Sequence, residues 1–332
     1  MMNKMNGIAP SDSEEGPNSP MFNNFGSSFC TIETEPCDSV ISGLSTETEY
    51  MESFDLSASS SPSALSRDTT AVAESLSVMI QKEQTFYKCR DYLRKRSSSM
   101  SSLDDDTIII TQTDRTKIVE WCYGIVDKCQ LDRETVACAM NMVDRFFSSN
   151  GTIDSARDYF LQDREQYQLL AVTALYMSIK IHESTVLSSD FFAEISTGTY
   201  NKEQIETTEL MILKQLEYRL SAPTSIQISN HILSLLLPYV SLSPSTWDFI
   251  LEEVEYQNEC TVFDYYFSTQ RPSTVAMASL YNTFGQGHVD EHDRQDLLRA
   301  LMLVKTAHDF EQLAQLLDVK NELQNLTRMN NI

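Results

Sequence analysis

The chain is 332 residues long and carries 48 acidic against 25 basic side chains, a formal net charge of −23. That balance argues against a direct grip on DNA, RNA or an anionic membrane and points to protein partners. Seven cysteines without CxxC spacing, no signal-peptide pattern and no apolar run of membrane length lead to the expectation of a reduced, intracellular protein.

Residues 1–70 are rich in Ser, Thr, Asn and Pro, acidic, and without apolar periodicity, which predicts a disordered tail. The stretch Pro10 to Asp55 looks like the unstable tails of rapidly degraded regulators, and Ser19-Pro20 and Ser61-Pro62 are minimal proline-directed phosphorylation sites. A linker region with one helix, 71–113, follows. Leu76, Met79, Ile80 and Tyr87 recur at helical steps and predict an amphipathic helix from about Ala71 to Arg94. Arg90-Asp91-Tyr92-Leu93 fits a minimal RxxL destruction motif, but a helix there would keep it from being read as an extended strand. Arg94-Lys95-Arg96 before Ser97, Ser98 and Ser99 suits a linker, a basophilic kinase site or a short nuclear-import patch.

Five helices are predicted over 114–221. The first, about Asp114 to Lys128, has Asp114 as its N-cap and Ile118, Trp121, Cys122, Ile125 and Val126 on one face. The second begins after Asp132 and carries Val136, Ala139, Met140, Val143 and Phe147. The third, Gln168 to His182, is apolar on nearly every side and therefore belongs in the middle of a bundle. A short fourth spans Ser189 to Ile195. The fifth opens on a capping box, Asn201-Lys202-Glu203-Gln204, and runs to about Leu216. Cys122, Cys129 and Cys138 read as small core residues on helices.

Residues 222–332 repeat this punctuation. Ile226 to Leu237 is one helix, and Ser243-Pro244 caps another that reaches about Tyr265 or breaks once. Pro272 to Phe284 is a small-residue-rich apolar helix resembling the third helix of the first half. Asp296 to Lys305 and Glu311 to Leu323 complete the set. The predicted fold class is all-α, two tandem five-helix domains related by an internal duplication.

Arg115…Glu120-Trp121, Asn141…Asp144-Arg145-Phe146, Gln168-Leu169…Ala174…Ser178-Ile179-Lys180 and Thr199-Tyr200…Lys202-Glu203…Glu209-Leu210…Ile212-Leu213…Leu216…Tyr218…Leu220-Ser221-Ala222-Pro223-Thr224 resemble the cyclin box of mitotic-type cyclins, in the family's order and spacing. Arg271-Pro272-Ser273…Val275-Ala276…Ala278-Ser279 is similar, more loosely, to a carboxy-terminal cyclin fold. Gln81 to Leu93 resembles the corresponding segment of diatom cyclins.

The resemblance implies a non-catalytic subunit that binds and activates a cyclin-dependent protein kinase, in the nucleus and cytoplasm, with no cofactor and no metal. It implies kinase contacts through Lys180 and Glu209, with Met177, Ile181, Leu213, Tyr218 and Leu220 as apolar neighbours. Ile181 stands where the family usually has an aromatic. It implies a buried or half-buried internal ion pair at Asp144-Arg145. Substrates and degradation machinery would be further partners.

One departure bears on substrate recruitment. Many cyclins carry Met-Arg-Ala-Ile-Leu ahead of a Trp, and here those positions read Asp114-Arg115-Thr116-Lys117-Ile118. Arg115, Trp121 and Gln168 fit the docking pattern. Asp114 and Lys117 place charge where a ligand leucine would sit, and Gly124 stands where an acidic residue usually meets the ligand's basic one. Weak or altered docking of RxL peptides is the expectation. Two other readings are a cyclin-fold transcription scaffold, disfavoured by the acidic charge, and an enzyme with a metal at His288, Asp290, His292 and Asp293, which a polar interhelical loop explains as well.

Overall fold

The structure, a computed structural model, describes residues 62–93, 110–148, 159–161, 163–307 and 313–330. The readings for residues 1–61 and for Arg94 to Ser99 lie outside it. Among the described residues the secondary structure is helical, with no strand. The first helix, α1 (Pro62–Gln84), is followed by α2 (Gln112–Lys128), α3 (Glu134–Ser148), α4 (Arg164–His182), α5 (Ser189–Ile195) and α6 (Lys202–Gln215). A second set comprises α7 (Ser225–Leu236), α8 (Pro244–Phe263), the single turn α9 (Tyr265–Ser268), α10 (Pro272–Phe284), α11 (Glu291–Ala307) and α12 (Leu313–Asn330).

The first half is organised around α4. Every residue from Tyr167 to Ile179 is buried, which requires neighbours on all sides, and α2, α3, α5 and α6 supply them. Two of its hydroxyls are satisfied inside the bundle: Thr173 donates to the Leu169 carbonyl and Ser178 to the Thr135 carbonyl on α3, each at 2.8 Å. In the second half α10 takes the same place between α7, α8 and α12, with Val275, Ala276, Met277, Ala278 and Leu280 in the core. Small side chains at Ala276, Ala278 and Ser279 suit close helix packing there.

Helix ends follow local chemistry. Asn201 and Gln204 form the reciprocal capping box read from the sequence. Ser243 caps α8, with Pro244 at the first position, where its missing N–H is not needed. The break after Phe263 comes at Asp264, whose carboxylate accepts from the Tyr266 N–H at 2.9 Å and starts α9. The cap of α2 differs from the expectation: Thr111 is the N-cap, and Asp114 is the reciprocal partner three residues on, accepting from the Thr111 N–H at 2.9 Å. Cys122 and Cys138 are buried helical residues, and burial pushes the Cys122 thiol up to about 12. Cys129 is half-buried and caps the end of α2.

The segment before the bundle also differs. The first helix starts at Pro62 and stops at Gln84, not Ala71 to Arg94, and residues 88–93 form an irregular strap. Arg90-Asp91-Tyr92-Leu93 is therefore not helical. Tertiary contacts override helix propensity here, because a strap lets Cys89 and Tyr92 both reach the interior. The Tyr92 hydroxyl donates to Asp144 at 2.8 Å, and its backbone N–H donates to the Tyr265 hydroxyl at 2.8 Å. α1 packs on the second half, where Leu76 and Ile80 join the core. The buried Glu83 accepts from the Ser273 N–H at 2.9 Å and from its hydroxyl, capping α10, whose N-cap residue Arg271 makes no side-chain cap bond.

The two halves meet through polar and aromatic contacts. Arg115 donates to the Val262 carbonyl at 2.7 Å, Tyr123 stacks on Phe263 with centroids 5.1 Å apart, and Arg133 pairs with Glu259 at 2.9 Å. At the centre is a buried ion pair that joins Asp144 to Arg115, with Nε at 3.1 Å and Nη2 at 2.8 Å. This corrects the expected Asp144-Arg145 pair. Adjacent residues on a helix point about 100° apart and cannot face each other, so Asp144 looks to α2 while Arg145 donates to the Arg219 carbonyl at 2.7 Å.

Candidate protein-docking face

The carboxyl end of α4 and the outer side of α6 form the face that the implied contacts share. Lys180 follows directly on the buried run of α4, and Glu209 lies two turns into α6. Lys180 Nζ donates to Glu209 Oε1 at 2.8 Å and stands 4.8 Å from the centre of the Tyr176 ring. Burial pulls the Lys180 ammonium down, but hydrogen bonds to Glu209 and Tyr176 outweigh it and hold the amine above its ordinary value. The lysine is charged at every physiological pH. An exposed pair of this kind contributes about 0.2–1 kcal/mol to folding, so its position at the surface is not explained by stability.

Apolar residues stand at neighbouring positions of α4 and α6 and in the turn that follows α6. Ile181 is 40 % exposed and Tyr218 68 % exposed, while Leu213 and Leu220 are half-buried. Met177, by contrast, is buried inside the bundle, because it lies one turn before Ile181 on a helix still enclosed at that point. It supports the face from below and does not present itself to a partner.

Several exposed apolar residues were given no role from the sequence, among them Leu210 at 53 %, Val186 at 80 % and Phe86 at 63 %. For Leu210 the signal was present. Leu210-Met211-Ile212-Leu213 is a run of four apolar residues, wider than the stripe one helix buries against its neighbours, so part of it must face outward. Leu210 and Leu213 are three apart and share a side of α6, and Glu209 and Leu213 are four apart. For Val186 and Phe86, both outside helices, periodicity offers no guidance.

The turn that carries Tyr218 has a defined geometry. The Tyr218 N–H donates to the Leu213 carbonyl at 2.9 Å and the Glu217 N–H to the Lys214 carbonyl at 3.2 Å. This is a Schellman closure with Glu217, φ 51°, in the left-handed position that glycine usually fills. Tyr218 follows at φ 60°. Each left-handed non-glycine residue costs about 1 kcal/mol.

The residues matching the substrate-docking pattern do not form an open patch. Arg115 is buried in its ion pair with Asp144, and Gln168 is buried and accepts from the Tyr200 hydroxyl at 3.2 Å. Trp121 is half-buried. Asp114, in place of an apolar residue, is buried and pairs with Arg164 at 3.2 Å. The histidine-rich loop does not converge either. The His288 ring packs on Phe249 at 4.7 Å, Asp290 accepts from the Asp293 N–H at 2.9 Å, and His292 is solvent-exposed. Among the described residues no three metal-ligating side chains come together.

Comparison with known proteins gives this geometry its context. Residues 74–221 match the family model described as the cyclin N-terminal domain. The chain is 26 % identical over 198 residues to Cyclin-A2-1 of Oryza sativa, covering 57 % of this chain and 35 % of that protein. It is 28 % identical over 167 residues to S-phase entry cyclin-5 of Saccharomyces cerevisiae, covering 50 % and 34 %. With Cyclin-A2 of Gallus gallus it shares 32 % identity over 115 residues, covering 35 % and 27 %. The chain thus spans about a third of the length of these relatives. A solved viral cyclin from herpesvirus saimiri is similar at 14 % identity with a TM-score of 0.47, over 70 % of this chain and 96 % of its own. Residues 74–221 thus match the cyclin N-terminal domain, and the relatives matched here are cyclins.

Proposed function

We propose that this chain is a regulatory subunit that binds and activates a cyclin-dependent Ser/Thr protein kinase, acting in the nucleus and cytoplasm to control cell-cycle progression. The observation that carries the proposal is the Lys180–Glu209 pair, held at 2.8 Å on an exposed face and bordered by Ile181, Leu210 and Tyr218. A kinase of this class is active when its regulatory helix is turned inward and its own Lys–Glu pair holds the ATP phosphates. A partner that binds only that arrangement shifts the population toward it. Leu210, Leu213 and Ile181 supply the area that such a helix would bury. Lys180 and Glu209 supply a donor and an acceptor for its backbone end, strengthened once water is excluded.

The test is a pull-down of the full chain with a panel of cyclin-dependent kinases, followed by a histone phosphorylation assay. Binding with a gain in activity supports the proposal. A folded chain that binds none of them points instead to a cyclin-fold scaffold.

A further inference from the structure

Phe86 and Tyr87, in the turn that joins α1 to the strap, lie against two arginines that contact the Tyr218 turn. Arg145, on α3, donates through Nη2 to the Arg219 carbonyl at 2.7 Å, one residue past Tyr218. Its Nε and Nη1 are buried without a hydrogen-bond partner. The face of the Tyr87 ring, 4.5 Å from the guanidinium carbon, is what offsets that side of the charge. Burial accordingly pulls the Arg145 guanidinium below its ordinary value, with the charge of Arg219 acting in the same direction. The Arg219 guanidinium sits 3.6 Å from the centre of the Phe86 ring and pairs with the Glu217 carboxylate at 3.0 Å. Two consecutive aromatics ahead of the strap therefore each cover one arginine; Arg145 bonds the segment Glu217–Arg219 from outside, and Arg219 pairs with Glu217 within it.

A turn with two consecutive left-handed non-glycine residues persists only where its surroundings fix it. Here the Schellman bonds to Leu213 and Lys214 are joined by groups from outside α6, Arg145 of α3 and the aromatic pair Phe86 and Tyr87.

We propose that Phe86 and Tyr87 are positioning residues: by covering Arg219 and Arg145 they clamp the Glu217–Arg219 turn in the one conformation that presents Tyr218 to the kinase. The proposal rests on the reading of this face as the kinase-binding surface. It makes the segment ahead of the five-helix bundle part of the binding determinant, although Tyr87 itself need not touch the partner. Without the Tyr87 ring, Arg145 loses the group that offsets its buried charge. It leaves the Arg219 carbonyl, and the turn relaxes toward right-handed conformations.

The experiment uses the full-length chain in three variants, Tyr87→Ala, Tyr87→Phe and Tyr87→Ala/Glu217→Gly. Hydrogen exchange is followed over residues 213–220, and kinase affinity is measured alongside. Tyr87→Ala should speed exchange of the Tyr218 amide and raise Kd about tenfold, the scale of one desolvated cation–π contact. Tyr87→Phe keeps the ring face and should match the parent. Glycine at 217 adopts the left-handed position without penalty and should restore most of the lost affinity, which replacing a lost direct contact would not do. Unchanged exchange in Tyr87→Ala overturns the clamp whether or not a kinase binds. Faster exchange with unchanged Kd overturns its role in presentation. A chain that binds no kinase fails the functional reading instead, and the exchange data still decide the clamp.

Discussion

Removing the Asp144 carboxylate should be among the most damaging single changes to this fold. Asp144 is 2 % exposed and accepts from Arg115 Nε and Nη2 and from the Tyr92 hydroxyl. It thereby ties α3 to α2 and to the strap, while the remaining arm of Arg115 reaches the Val262 carbonyl in the second half. In Asp144→Ala the Arg115 cation is left buried with one neutral acceptor, and breaking a buried pair in this way costs about 3–5 kcal/mol. The Tyr92 hydroxyl loses its acceptor as well, adding about 1 kcal/mol. Folding stability of a domain is about 5–15 kcal/mol, so the variant should be marginal at 37 °C. Urea unfolding of the full chain, followed by far-UV circular dichroism, reads this as a lower midpoint at unchanged slope. The charge is the cause, so Arg115→Leu/Asp144→Leu should recover most of the loss even though it deletes both partners. A loss below about 1 kcal/mol in Asp144→Ala, or a double variant worse than the single, would refute this reasoning.

Other perturbations have defined outcomes. Glu134 accepts from the Thr224 hydroxyl at 2.6 Å, and burial raises its pKa above the ordinary carboxylate value. The protonated form is favoured in the fold, so its contribution is present below about pH 4.5 and lost as pH rises through the raised value. Glu134→Gln keeps an acceptor without the charge, and its melting temperature should exceed the parent's at pH 7 and converge with it at pH 4. Gly124 lies inside α2, and a β-carbon there would meet nothing within 4 Å; Gly124→Ala should stabilise the chain by about 0.5–1 kcal/mol in urea unfolding. Leu210→Asp should weaken kinase binding about tenfold in a titration while shifting the melting temperature by less than about 2 °C, because Leu210 is half exposed and not part of the core. A leucine-containing basic RxL peptide should show no saturation below about 100 µM in fluorescence anisotropy, since Arg115 and Gln168 are committed inside the fold. Micromolar binding would contradict that.

Much of the fold was legible because its signals are local or periodic. The apolar run of α4 demanded enclosure and is enclosed from Tyr167 to Ile179. Asn201-Gln204, Ser243-Pro244 and the break before Tyr265 mark helix ends through bonds made within three residues. What the sequence hid depends on distant partners. The strap abandons the helix after Gln84 because Tyr92 has a partner 52 residues away at Asp144 and another 173 residues away at Tyr265. The choice of Arg115 over Arg145 for Asp144 is one of helix direction. Of the candidate site, Lys180, Glu209, Ile181 and Tyr218 were named only through the family resemblance; the two charges lie 2.8 Å apart and the two apolar side chains are exposed, whereas Met177 is buried.

The measurement that bears most directly on the central claim is the affinity of the full chain for any cyclin-dependent kinase captured in the pull-down, before and after Lys180→Ala/Glu209→Ala. Both side chains sit at the surface, and their mutual contact contributes about 0.2–1 kcal/mol to folding. The double variant should therefore keep its helical circular dichroism and lose kinase binding by at least about a hundredfold. A folded double variant that binds the kinase as tightly as the parent would show that the docking face lies elsewhere on the molecule.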